Sequence, residues 1–374
     1  MFNKKAIREP LFHISKRAPL PFWHVWGIRA VAIVSAFLVS IIMSRIFLGI
    51  GISEFFSSMF KGSFGSEKLV WIMLKSVAML LCVSVALAPA FKMKFWNIGA
   101  DGQVLMGCTA AYVCKRFLAG SMPSSMLVLV CLGAAIVAGA VWAVIPAIFK
   151  ARWNTNETLF TLMMNYIATQ IVLHLKDLWA NGQALPEIKA GNLEQIYYYL
   201  STVLIVVFIT AFMFVYLKYS KHGYEIAVVG ESKNTAKYIG ININKTVIRT
   251  LILSGAICGI TGFLLICGQK INIGLNDDIV GGIGFTAIIV AWLAKFNPGY
   301  MVLTSFFVVF LENGAGNLYS ENNAYGKIIV GIVFFMVIGC EFFITYQLKR
   351  NGKKHNGELF SDNTKQNENK ETDK

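Results

Sequence analysis

Asn97, Gly99, Asp101, Gly102 and Gln103 fall close together in the stretch KFWNIGADGQVLMG (94–107). A carboxylate and two carboxamides can hydrogen-bond a polar solute, and glycines let backbone approach it closely. The setting is unusual, because an apolar run from Leu69 to Phe91 precedes these residues and another begins at Val104. A plain turn between helices is one reading. Against it stand Phe95, Trp96, Ile98 and Ala100, which a turn bathed in water has no need of. Irregular backbone at membrane depth is tolerated where it is buried in protein or lines a wet cavity. A broken or re-entrant segment beside a polar pathway therefore accounts better for the mixture.

Two further polar side chains lie within apolar runs, where each calls for a partner or a cavity. Asn165, in NETLFTLMMNYIA (156–168), sits in the middle of an apolar run and reads either as a pathway residue or as a hydrogen-bonding link between helices. Lys75 lies a third of the way along its run and can snorkel to the nearer interface. Asn156 can cap the helix that carries Asn165, with Glu157 complementing its dipole. Trp71, Trp96, Tyr166 and Phe285 could stack on a base, although packing is the commoner use of such rings.

The elements that must position these groups are membrane helices. Of the 374 residues 56% are hydrophobic and only 14% charged, against about 25% charged in soluble domains. The apolar residues form continuous runs of about the length a helix needs to cross a bilayer, which excludes a barrel of alternating strands. Ten spans are expected, near 29–50, 69–91, 101–120, 126–149, 158–178, 199–217, 248–268, 280–295, 299–313 and 327–347. The expected class is an all-α polytopic bundle with both termini inside. Its domains are a basic cytoplasmic segment (1–28), a permease domain (29–347) and a disordered cytoplasmic tail (348–374). Trp23 and Trp26 read as an interfacial belt rather than part of a cleaved leader.

The net charge of +14 follows this topology: about 24 Lys/Arg fall inside and about 8 outside. That distribution argues against nucleic acid, with contact to anionic membrane lipid as a secondary reading. The seven cysteines are scattered through the spans, without the spacing of a disulfide framework or a zinc site. No phosphate loop and no hydrolase motif occurs, so neither ATP binding in the Walker manner nor catalysis is expected of this chain.

Two connections carry order signals. Residues 179–198 are expected outside as a short lid or interfacial helix. Residues 218–247 are expected inside, as a solvated linker or a docking element. Within it Gly230 breaks what precedes, Glu231 and Ser232 favour a helix start, and Gly240 supplies the left-handed stop, leaving about two turns from Lys233. A weak echo also links the glycine-rich polar break at 97–102 to INIGLNDDIVGGIGFTAI (271–288), raising an inverted repeat with broken helices.

Four stretches in order resemble one family. FWNIGADGQVLMG is similar to the N-I-G-A-[ED]-G-Q signature of permease subunits of ATP-binding-cassette importers for nucleosides and simple sugars. NETLFTLMMNYIA, GYEIAVVGESKNTAKYIGIN (223–242), and SGAICGITG (254–262) with GGIGFTAIIVAWLAKFNP (281–298) fit the same family, the longer of the two nucleoside-system permeases. Lys92, Lys94 and Lys295 depart from its usual pattern. The resemblance implies a non-enzymatic plasma-membrane subunit without cofactor of its own, working by alternating access. ATP and Mg²⁺ would act on a cytoplasmic ATPase; a second permease, forming a heterodimer, and an extracytoplasmic substrate-binding lipoprotein would complete the assembly. The pathway would include Asn97, Gly99, Asp101, Gly102, Gln103 and Asn165. The helix entering the ATPase would comprise Gly230, Glu231, Ser232, Lys233, Asn234, Thr235, Ala236, Lys237, Tyr238 and Gly240. The alternatives are a stand-alone ion-coupled carrier of a small polar solute, which lacks coupling acids in the spans, and a non-transporting scaffold.

Overall fold

The computed structural model describes residues 12–18, 21–118, 120–180, 195–268, 278–318 and 323–350. In chain order the elements are β1 (Phe12–Lys16), α1 (Phe22–Leu48), α2 (Ile52–Phe64), α3 (Glu67–Lys92), α4 (Ala100–Leu118), α5 (Ser124–Trp153) and α6 (Glu157–Ala180). There follow α7 (Gln195–Tyr219), α8 (Lys221–Glu231), α9 (Lys233–Tyr238), α10 (Ile243–Cys267), α11 (Ile283–Leu293), α12 (Pro298–Leu318), α13 (Asn323–Thr345) and β2 (Tyr346–Arg350). They form two compact units, Met1–Gly49 with Gly331–Lys374, and Ile50–Val330.

A helix lies at each of the ten expected spans. Among the described residues, eight helices are long and apolar enough to cross a membrane. The other two expected spans are α4, whose first turn is polar, and α11. With 11 residues α11 covers about 16 Å, roughly half the hydrocarbon thickness. Among the described residues the fold is helical apart from two short strands that the apolar pattern does not foreshadow. The expected domain limits at 28/29 and 347/348 fall inside α1 and β2. The expected tail beyond Arg350 and most of the expected lid, 181–194, lie outside the described residues.

In the first unit β1 pairs antiparallel with β2, Phe12 opposite Arg350 and Lys16 opposite Tyr346. Arg17 N donates to the Thr345 carbonyl at 2.9 Å. The Arg29 guanidinium donates from Nε (3.0 Å) and Nη2 to Glu341 Oε1, a charge pair that ties α1 to α13.

The second unit is organised around α10, which packs along α5 and α4. Small residues make this possible. A Cβ on Gly259 would lie 2.8 Å from the Ala135 carbonyl carbon and 3.0 Å from Ile136 Cα of α5. One on Gly107 of α4 would lie 2.8 Å from Gly259 Cα. In a membrane, where lipid tails are as apolar as leucine, such close backbone approach is what holds helices together. Elsewhere α2, an element the sequence reading missed, lies against α12, and Asn317 Nδ2 donates to the Ser58 carbonyl at 3.1 Å.

Two helices end alike. After α3, Lys94 takes a left-handed conformation (φ 59°), and Phe95 N–H donates to the Ala90 carbonyl while Lys94 N–H donates to that of Phe91, both at 2.9 Å. After α11, Lys295 is left-handed (φ 50°), and Phe296 and Lys295 donate to Ala291 and Trp292, again at 2.9 Å. Each is a Schellman stop made without glycine. In each an asparagine follows, Asn97 or Asn297, whose Oδ1 accepts from the glycine two residues on. The two turns meet: Phe91 stacks on Phe296 at 5.8 Å, and Trp96 lies 5.3 Å from Trp292.

Candidate functional site: a hydrogen-bonded break and its cavity

The break between α3 and α4 is neither solvated nor loose. Asn97 and Gln103 are wholly buried and satisfy each other, Gln103 Nε2 donating to Asn97 Oδ1 at 3.2 Å. The same oxygen accepts from Gly99 N–H at 3.1 Å. A polar pair removed from water must be bonded, and this one is. The break is also tied to α6: Thr161 Oγ1 accepts from Ile98 N–H at 3.1 Å, and Asn165 Nδ2 donates to the Ile98 carbonyl at 2.9 Å. Asn165 Oδ1 in turn accepts from Gly102 N–H at 2.9 Å. One carboxamide thus reads both the carbonyl before the break and the amide after it. A Cβ on Gly102 would lie 2.9 Å from that Oδ1, so only glycine admits the bond.

The start of α6 is fixed as its sequence suggests. Asn156 Oδ1 accepts from Thr158 N–H (3.1 Å) and Leu159 N–H (3.3 Å), and Glu157 pairs with Lys150 at 2.6 Å. Asp101 reaches the other way, its Oδ1 accepting from Gly284 N–H at 2.7 Å in the first turn of α11. The two segments of the sequence echo are therefore in contact here, although residues 269–277 of the second lie outside the described residues.

Between α4, α6 and the approach to α11 lies a cavity of about 230 Å³. Of the expected pathway residues, Asp101, Gly102 and Asn165 line it. Asn97, Gly99 and Gln103 do not; they sit behind it and hold the break in shape. Tyr166, Thr169, Asp278 and Phe285 complete the polar and aromatic lining. Asp278 and Thr169 were not singled out from sequence, since an aspartate in a glycine-rich connection and a threonine in a helix are unremarkable until helix positions are known. The described lining holds two acids and no base. In a chain of net charge +14 this is a locally negative place, suited to groups that donate hydrogen bonds and unfavourable to anions. Lys75 is not there: its ammonium lies over the Tyr199 ring at 5.4 Å, on α7.

The segment from Gly230 to Gly240 differs from its sequence reading at the start. Gly230 and Glu231 do not break a helix; they form the last turn of α8, itself unforeseen. Ser232 is the single residue between helices and caps α9, its Oγ accepting from Thr235 N–H at 3.2 Å. Lys233, Asn234, Thr235, Ala236, Lys237 and Tyr238 form α9. Gly240 is left-handed (φ 82°), and Ile241 and Gly240 donate to Ala236 (2.9 Å) and Lys237 (3.1 Å) in the stop that its position suggests. Ala236 is buried, whereas Tyr238 is 91% exposed.

Comparison with known proteins adds a family and relatives. Residues 69–338 match the family described as branched-chain amino acid transport system / permease component. The chain is similar to the guanosine ABC transporter permease protein of Bacillus subtilis, 27% identical over 81% of this chain and 91% of that one. It is similar to the glucose ABC transporter permease protein of Haloferax volcanii, 24% identical over 90% and 93%. It also resembles the nucleoside ABC transporter permease protein of Lactococcus lactis, 24% identical over 86% and 92%.

Proposed function

The chain belongs to the branched-chain amino acid transport system permease family, as the multi-pass plasma-membrane subunit of an ATP-binding-cassette importer, and we propose that its cargo is a nucleoside or related simple sugar. It is a transport component rather than an enzyme, and it works with an ATPase and a substrate-binding protein. We take the second permease to be a different chain and the binding protein to be an extracytoplasmic lipoprotein.

One observation carries the cargo reading: the cavity at the break, with two carboxylates, Asn165 and the rings of Tyr166 and Phe285, and no base in its described lining. Carboxylates and a carboxamide suit the hydroxyls of a sugar, and the rings suit a base; phosphate groups would be repelled. The relatives named for guanosine, glucose and nucleosides support the same class. Asn97, Gly99 and Gln103 then belong to the pathway as its frame, and Asp101, Gly102 and Asn165 as its wall.

On this reading α9 is the cytoplasmic coupling helix, and Tyr238 at its end enters the ATPase. ATP binding displaces α8–α9, and the spans exchange an outward opening for an inward one. Such a shift requires that nucleotide favour one state over the other, which the ATPase supplies in trans. The test is uptake of labelled guanosine by cells with and without this chain. Loss of ATP-dependent uptake, restored by re-expression, is expected; undiminished uptake overturns the nucleoside assignment.

A further inference from the structure

The α8 helix comes against the end of α3 at a bare position, Gly230. A Cβ on Gly230 would run into the Lys92 carbonyl oxygen and lie 3.1 Å from its carbon and 3.3 Å from Met93 Cα. The obstacle is backbone on every side, so no side-chain rotamer can relieve it. Gly230 is buried, as are Val229 and Ile226 of the same helix. The helix is therefore seated on the last turn of α3 by shape.

What lies on either side of this contact gives it meaning. On one side, Ser232 alone separates α8 from α9, and its backbone serves both: its N–H donates to the Val228 carbonyl (3.0 Å) and its carbonyl accepts from Ala236 N–H (3.0 Å). A load on α9 passes to α8 through one residue bonded at both ends. On the other side, Met93 leads directly into the left-handed Lys94, then into Asn97, Ile98 and Gly102, each bonded to Gln103, Thr161 or Asn165. Phe91, next to Lys92, stacks on Phe296 beyond the end of α11, while Asp101 grips Gly284 at the start of α11. The end of α3 thus bears directly on the turn that closes α11, and the break that follows it reaches α6 through Thr161 and Asn165 and leads into α4, whose Asp101 holds the start of α11. These three, α4, α6 and α11, surround the cavity.

We propose that the seat of Gly230 on Lys92 and Met93 is the joint through which movement of the coupling segment reaches the cavity wall, making Gly230 a positioning residue for transport. This rests on the reading of α9 as the ATPase contact and of the cavity as the pathway. Contiguity alone is a path, and coupling must be measured across it.

The experiment uses the complete transporter with its ATPase in proteoliposomes, on a background in which the seven native cysteines are replaced. A cysteine at Thr169, in the cavity lining, is labelled with a neutral maleimide, with nucleotide absent and with ATP and vanadate trapped. With Gly230 intact the labelling rate changes between the two conditions. In Gly230→Ala that change falls by about fivefold or more while the transporter still hydrolyses ATP, the size of an ordinary coupling energy. A merely structural lesion would lower both rates of labelling, or hydrolysis itself, without erasing the response to nucleotide. Should Gly230→Ala not assemble, Val229→Ala removes buried packing next to Gly230 on α8 without a clash and is expected to weaken the response in the same direction. An unaltered response in the variant that assembles overturns the joint. Absence of any response with Gly230 intact overturns the pathway reading, and the joint falls with it.

Discussion

The α4 helix is held in two ways along its length. Past its first turn, Gly107 and Cys108 lie against Gly259 and Gly262 of α10, backbone to backbone, the Cys108 thiol donating to the Gly262 carbonyl at 3.4 Å. In the first turn, by contrast, Asp101, Gly102 and Gln103 are held by side-chain hydrogen bonds to α11, α6 and the preceding loop. The first region gains from dispersion and excluded lipid, needs no particular orientation, and leaves nothing to exchange. The second depends on a few directed bonds, each of which can be broken and remade. A transporter needs both: a frame that stays packed and a wall with discrete alternative arrangements. On the proposed reading of the break as the pathway wall, rigidity belongs to the glycine-lined seam and change to the break.

The largest expected effect attacks the seam. Gly259→Val puts three heavy atoms where Ala135 and Ile136 of α5 leave no space for the first of them. Overpacking of this kind costs about 3 kcal/mol, and here the obstructing atoms are the backbone of α5, which no rotamer change can move. The variant should fail to give a folded, monodisperse chain in detergent by size-exclusion chromatography. A normal profile would show that the seam yields, and would undo the contrast drawn above.

The next effect attacks the break while sparing the seam. Asn165→Leu removes the donor to the Ile98 carbonyl and the acceptor of Gly102 N–H together, leaving two backbone groups unpaired in a buried place. Polar links between membrane helices are worth about 1 kcal/mol each, and orphaned groups add to the loss, so about 2 kcal/mol is expected. Detergent unfolding should show a folded but less stable chain, with uptake falling more than stability. Equal loss of both would mean that Asn165 is only a structural link.

These regions were unequally legible in the sequence. Spans could be read because continuous apolar runs record burial in lipid residue by residue, and the helices lie where the runs lie. The break was legible as an anomaly, polar groups where the run should continue. Which of its side chains face the cavity was not, because that depends on how α4 and α6 are turned about their axes; Asn97 and Gln103 bond each other instead. The α2 helix escaped notice because Ser, Lys and Glu interrupt its apolar face. The α8 helix is hidden because Gly230 reads as a breaker, whereas the glycine is needed for what lies across from it on α3. Pairing of β1 with β2 joins segments from opposite ends of the chain, which no local pattern records.

The smallest effect sharpens the comparison by using the twin turns. Asn97 and Asn297 each follow a left-handed lysine, by three residues in the first turn and by two in the second, and each accepts from the glycine two residues on, at 3.1 and 3.0 Å. Asn97 is wholly buried and also receives Gln103, whereas the Asn297 bond lies at an exposed position. Water can replace the bond to Gly299, so Asn297→Ala should change stability by about 0.5 kcal/mol or less. Water has no access to the Asn97 pair, and Asn97→Ala leaves Gly99 N–H and Gln103 Nε2 without their acceptor, a loss of about 2 kcal/mol. The same substitution at two asparagines that make the same bond to a glycine N–H therefore separates what that bond requires from what the buried break adds. Detergent unfolding of the two variants side by side measures the difference directly. If both shift by the same amount, the buried network contributes nothing beyond the turn, and the first turn of α4 must be held by packing like the rest of the helix.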